Sequence, residues 1–197
     1  MMYKLCKSED SARRQRQIEL ELYEMMKAVH YDDITVTALC DRAGVPRKAF
    51  YRYFDSKEDA LRAYIEHTLS EYDGFKDEHL TSGKRSLTGE LEMYFDFWLK
   101  NKETLRVFDR SGLLPLLSEC SVRFPVGDRV STAKFLPDDT AVTRAWVFKF
   151  ASAGMITLML EWYKSGFCGS PRQMAQIAAR IVSKPLFANL SEIGFDE

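Results

Sequence analysis

The chain has 197 residues, 46% of them apolar and 29% charged, a balance that excludes intrinsic disorder and allows a sizeable core. Its 28 Lys and Arg nearly cancel its 29 Asp and Glu, which excludes a polybasic coat over the whole molecule but leaves room for a local basic patch. Ten Gly and six Pro are too few for an all-β fold with many tight turns. The four cysteines (Cys6, Cys40, Cys120 and Cys168) are scattered without a Cys-x-x-Cys pair, which fits reduced thiols in the cytoplasm and gives no zinc signal. Met1 to Lys7 holds no apolar run of signal-peptide length. The longest nearly uncharged apolar stretch, Phe150 to Leu160, falls well short of the ~20 residues a membrane span needs. The expected protein is all-helical, cytoplasmic, and without membrane contact, cofactor or metal.

From Ser11 to about His30, apolar residues recur at Ile18, Leu22, Met25, Met26 and Val29, the three-and-four spacing of one helix face. Arg13, Arg14 and Arg16 sit near its start, the unfavourable end of the helix dipole for positive charge. A short helix from about Val36 to Arg42 follows, with Thr35 as N-cap and Gly44 as its stop. Pro46 opens another that ends near Tyr53. Asp55-Ser56-Lys57-Glu58 reads as the capped start of a longer helix to about Leu80, with Asp73-Gly74 as a possible break. Thr81 to Ser86 is the clearest linker. Helical runs follow at about Leu87–Asn101, Glu103–Arg110 and Leu113–Cys120, then a loop over Ser121–Asp139. A long helix from Thr140 to about Ser165, closed by Gly166, and a last one from Pro171 to about Ser183 complete the chain. The organisation expected is a helix-turn-helix domain over residues 1–57 and a larger helical domain over 58–197.

Thr35 to Phe54 has the mechanics of a helix-turn-helix. Two such short helices cross at a wide angle only if a tight turn joins them, and Gly44 can supply its positive φ. Leu39, Cys40, Ala43, Val45, Phe50 and Tyr53 fall on inward positions, while Arg47, Lys48, Tyr51 and Arg52 face outward with Lys57 just beyond. From Arg42 to Lys57 the sequence holds five basic residues against Asp55, a local charge of +4 on a nearly neutral chain. That asymmetry suits a helix docking onto phosphates, although any three-helix corner exposes some Lys and Arg.

Tyr31-x-x-Ile34-Thr35-Val36, Ala43-Gly44-Val45, Phe50-Tyr51-Arg52-Tyr53-Phe54 and Ser56-Lys57-Glu58-x-x-Leu61 resemble the N-terminal signature of the TetR/AcrR family of transcriptional regulators. The resemblance runs without a gap from about Arg14 to Leu61. It implies that Tyr51 and Lys57 meet DNA phosphates and that Thr35 caps the helix lying across the backbone. It places Thr37, Arg47 and Lys48 where base edges or neighbouring phosphates are met, and Tyr53 beside the groove, with plain packing as the alternative for Tyr53. Cys40, Pro46 and Ala49 depart from the usual family residues, Pro46 by removing a hydroxyl cap; these departures bear on the operator sequence rather than the fold.

The same resemblance implies a C-terminal domain that dimerises and holds a small-molecule pocket. The Thr140–Ser165 helix is apolar on more than one face, so it needs cover on both sides. Homodimerisation is expected through the helices at about 140–165 and 171–183, with a palindromic double-stranded operator as partner. Phe150 to Trp162, with Gly166 and Pro171, resembles a TetR subgroup that includes activators of dihydroxyacetone kinase type. Tyr94, Phe97, Trp98, Phe108, Trp146, Phe150 and Met159 are candidates to line an apolar cavity for an apolar or aromatic effector, with ordinary core as the alternative reading. His67 and His79 are isolated, which argues against a metal, and His30 reads as a helix end.

The reading is therefore a ligand-responsive homodimeric repressor, with an activator or an interaction module that has lost DNA binding as alternatives. An enzyme finds no support: the sequence has no Gly-x-Ser-x-Gly elbow, phosphate loop or His-Glu-x-x-His. Cys168, in a glycine-rich turn without a neighbouring His, reads as a bystander thiol.

Overall fold

The structure, a computed structural model, describes residues 9–79, 86–123 and 141–183. The described residues form nine α-helices and no strand: α1 Glu9–Met26, α2 Val36–Ala43, α3 Arg47–Tyr53, α4 Lys57–His79, α5 Leu87–Lys100, α6 Lys102–Arg110, α7 Leu114–Arg123, α8 Ala141–Lys164 and α9 Pro171–Ser183. A single 3-10 turn, Tyr31–Asp33, separates α1 from α2. Cys6, the Thr81–Arg85 part of the expected linker and the 124–139 part of the expected loop lie outside the described residues.

α1 begins two residues before the expected Ser11, which places Glu9 and Asp10 in its first turn and complements the dipole that the arginines alone would oppose. It ends at Met26 rather than near His30, leaving Val29 exposed. Its buried face, Ile18, Leu22, Tyr23 and Met26, packs on α4 and α2. At the start of α4, Ser56 Oγ accepts from the Asp59 amide at 3.1 Å while the Asp59 carboxylate accepts from the Asp55 amide at 3.2 Å. α4 then runs unbroken through Asp73-Gly74. Leu69, Tyr72 and Phe75 pack against the core on either side of that pair. This packing outweighs the ~1 kcal/mol a mid-helix glycine costs.

α4 is the shared wall of the molecule, meeting α1 on one side and α5 and α7 on the other. α9 lies along α5, and α8 packs on α7. The core beyond α4 is aromatic: Phe95 and Trp162 meet edge to face at 5.5 Å, and Phe97 and Trp98 at 5.4 Å. No helix among the described residues is long and apolar enough to cross a membrane.

Candidate nucleic-acid interface

Local chemistry builds the crossing of α2 and α3. Thr35 Oγ1 accepts from the Ala38 amide at 3.1 Å and starts α2. Gly44 adopts φ 63° and ψ 32°, and the Val45 amide reaches back to the Cys40 carbonyl at 3.0 Å, closing α2 in a left-handed C-terminal turn. Pro46 caps α3 through its carbonyl, which accepts from Ala49 at 2.8 Å, with no side-chain bond; it stands just before the helix rather than in its first turn. Leu39, Cys40, Ala43, Phe50 and Tyr53 are buried in the crossing and Val45 is half-buried.

Thr37, Arg47, Lys48, Tyr51 and Arg52 are exposed together on the opposite side, with Thr35 at the end of α2. Arg47 Nη2 donates to the Tyr51 hydroxyl at 3.4 Å, and its guanidinium stands 6.0 Å from the Tyr51 ring centroid. Arg42, counted in the local charge, is paired with Glu21 at 2.9 Å. Tyr53 sits in the core, 4% exposed, under the Arg52 guanidinium, so its geometry matches the packing alternative.

Lys57 occupies the first turn of α4, between α3 and the 3-10 turn. Its Nζ donates to the Tyr31 carbonyl at 2.6 Å and to the Ile34 carbonyl at 2.7 Å, and it stands 4.0 Å from the Tyr31 ring centroid. Partial burial pushes this ammonium below its ordinary value against the pull of Asp32 and Asp33. Burial likewise pushes the Tyr31 phenol up to about 12. The lysine is thus a cation held on carbonyls at the edge of the basic surface, with one further N–H to donate.

The surface is wired to the rest of the molecule by contacts that sequence reading missed. Glu19, fully buried in α1, accepts from Gln15 at 3.2 Å and from Arg16 at 3.1 Å, and its Oε2 lies 2.6 Å from His67 Nδ1 on α4. Arg16 also reaches Glu71 at 2.8 Å. Tyr23 and Thr104 share a buried hydrogen bond of 3.1 Å, Arg110 donates to the Met26 carbonyl, and the Tyr31 amide donates to Ser111 Oγ at 3.1 Å. Arg62 on α4 makes a two-pronged pair with Glu119 on α7, at 3.2 and 3.3 Å. Apart from Gln15 and Arg16, which meet Glu19 within one helix, these partners lie tens of residues apart, beyond the reach of periodicity. His30 does not end α1; its Nδ1 caps the 3-10 turn by accepting from Asp32 at 3.3 Å.

Of the seven candidate pocket residues, Phe97, Trp98, Phe108 and Met159 are buried in the aromatic core and Tyr94 is half-buried beside them. Trp146 and Phe150 are not brought to this group: they stand outward on α8, 66% and 78% exposed. No group of three or more His, Cys, Asp or Glu among the described residues is placed to hold a metal ion.

A basic, solvent-facing short helix braced by a capped partner across a left-handed glycine turn defines a helix-turn-helix DNA-binding protein. Residues 23–64 match the family model described as bacterial regulatory proteins, tetR family, a match that takes in all of α2 and α3, so this N-terminal unit is similar to that of the tetR regulators. No curated protein matches the chain in sequence. The chain is similar to the solved structure of the dihydroxyacetone kinase operon activator DhaS, with 16% identity and a TM-score of 0.52 over 86% of this chain and 94% of that one. It is also similar to a tetR-family transcriptional regulator from Streptomyces coelicolor, with 14% identity and a TM-score of 0.49 over 87% of this chain and 80% of that one. The likeness to DhaS is one of fold.

Proposed function

We propose that this chain is a ligand-responsive homodimeric repressor in the cytoplasm that reads a palindromic operator with α3. The observation that carries the reading is the division of the α2–α3 crossing into an apolar inside and a basic outside. Residues 1–57 are read as the DNA-binding domain and 58–197 as the effector and dimerisation domain. Arg47, by its planar fork, suits a guanine edge; Lys48, Tyr51 and Lys57 suit phosphates, and Thr35 and Thr37 present hydroxyls from α2.

Two exposed apolar stripes support the dimer. Trp146, Val147 and Phe150 stand on α8, and Ile177 and Ile181, four residues apart, stand on α9. Exposed apolar stripes of this kind suit an interface, and a two-fold pair presents two reading helices to two half-sites. For the effector, the region of Tyr94, Phe97, Trp98, Phe108 and Met159 supports an apolar or aromatic molecule. The rings there already touch, so binding must displace them and thereby favour one arrangement of the helices. Repression is the sign we read, because a dimer on a promoter blocks it without further contacts. Activation is the second reading, kept because DhaS is an operon activator.

The test is selection of fragments from a random duplex pool by the purified protein, followed by titration of the selected fragment at several salt concentrations. A palindromic fragment bound with steep salt dependence supports the regulator. Weak binding without sequence preference, persisting after the protein has been unfolded, washed free of ligand and refolded, would support a module without DNA function.

A further inference from the structure

The 3-10 turn Tyr31–Asp33 has its amides satisfied from two different places. Asp32 is capped within the turn by His30, and the Asp33 amide reaches the His30 carbonyl at 3.1 Å. The Tyr31 amide, at the start of the turn where helical geometry offers no acceptor, is met by Ser111, from the residue that closes α6. The Tyr31 carbonyl in turn accepts from both Ile34 and Lys57, and the Ile34 carbonyl accepts from Lys57 as well. One peptide chain thus links Ser111 to the Lys57 ammonium through two hydrogen-bonded steps. The same end of α6 is tied elsewhere: Arg110 donates to the Met26 carbonyl, and Asp109 accepts from the Tyr163 hydroxyl of α8 at 2.9 Å. Ser111 itself is buried, 8% exposed, so its position follows the packing of α6.

We propose that Ser111 is a positioning residue for DNA binding: by accepting the Tyr31 amide it fixes the carbonyl pair that orients the Lys57 ammonium toward a DNA phosphate. The proposal rests on the regulator reading above. A lysine side chain is a flexible stem with a point charge at its end, so its worth at a phosphate depends on what limits its wandering. Two carbonyls and one aromatic ring supply that limit here, and all of them belong to the segment held by Ser111 or lie next to it. Movement of α6, which touches α8 through Asp109, would reach the phosphate contact by this route.

The experiment compares wild type, Ser111→Ala, Lys57→Gln and the double variant on the fragment selected from the random duplex pool, across a salt series. The expected result is a loss of about three- to tenfold in affinity for Ser111→Ala, and a salt slope shallower by about 0.9, the share of one phosphate contact. Lys57→Gln gives the same shallower slope, and the double variant loses no more than Lys57→Gln alone. Ser111→Cys, close in shape but a poor acceptor, repeats the Ser111→Ala result and separates a lost hydrogen bond from a packing defect. An unchanged slope in Ser111→Ala, or losses that add in the double variant, overturns the proposal while wild-type binding leaves the regulator reading standing. Wild type that selects no fragment overturns both.

Discussion

His67 Nδ1 lies 2.6 Å from Glu19 Oε2, joining α4 to α1 around a carboxylate that has no solvent exposure. A buried carboxylate is tolerable only while its partners remain, and Gln15, Arg16 and His67 supply them from two helices. Glu19→Ala leaves Arg16 and His67 without their shared acceptor and opens a void. The expected outcome is a loss of about 3 kcal/mol, seen as a lower urea midpoint with the helical circular dichroism retained at zero urea.

Gly44 offers a cleaner test of backbone chemistry. A Cβ there would meet nothing within 4 Å, so only its φ of 63° opposes a side chain. Gly44→Ala should therefore cost about 1 kcal/mol in denaturant unfolding, with no steric excess. A much larger loss would mean that the turn has less room than the structure gives it.

On the basic face, Arg47→Ala and Lys48→Ala are expected to leave thermal stability nearly unchanged, because both side chains are exposed. Arg47→Ala should weaken binding to the selected fragment by roughly tenfold or more and relax preference at one base pair. Lys48→Ala should weaken all fragments alike and flatten the salt slope by about 0.9. Fluorescence anisotropy against matched and single-mismatch duplexes distinguishes the two.

The Arg62–Glu119 pair predicts an acid limb. Hydrogen bonding from Arg62 holds the Glu119 carboxyl below its ordinary 4.5. With the folded value depressed, the stabilisation is present above the unfolded value and is lost as pH falls through the folded one. Glu119→Gln should therefore lower stability near neutral pH and narrow its difference from wild type below about pH 4, in urea midpoints measured across pH.

Phe150→Lys places a charge in the middle of the α8 apolar stripe. The expected outcome is a monomer by light scattering at concentrations where the wild type is a dimer, with secondary structure unchanged. A wild type that is itself monomeric would remove the dimer from the proposed function.

The helix-turn-helix was legible because its determinants are local. Thr35, Gly44 and the inward set Leu39, Cys40, Ala43 and Phe50 act within a few residues of one another, so spacing alone places them. Asp73-Gly74 misled for the opposite reason: the helix survives there on contacts made with other helices. Trp146 and Phe150 read as pocket residues because an apolar stripe carries no sign of what covers it. The Lys57 cradle was hidden twice over, since its acceptors are backbone carbonyls and its brace, Ser111, lies 80 residues from Tyr31.

The unbroken course of α4 makes it a lever as well as a wall. Its 23 residues span roughly 34 Å at the usual helical rise, with Lys57 at one tip and the contacts to α5 and α7 along its length. A tilt of about 10° around its middle would carry that tip by roughly 3 Å, about one hydrogen-bond length. A break at Gly74 would have shortened the arm and uncoupled its far end. Continuity puts Lys57 on the same rigid rod as Tyr72 and Phe75, whose rings meet Tyr94 and Phe97 of α5, so a shift of those rings is carried along the helix to the lysine.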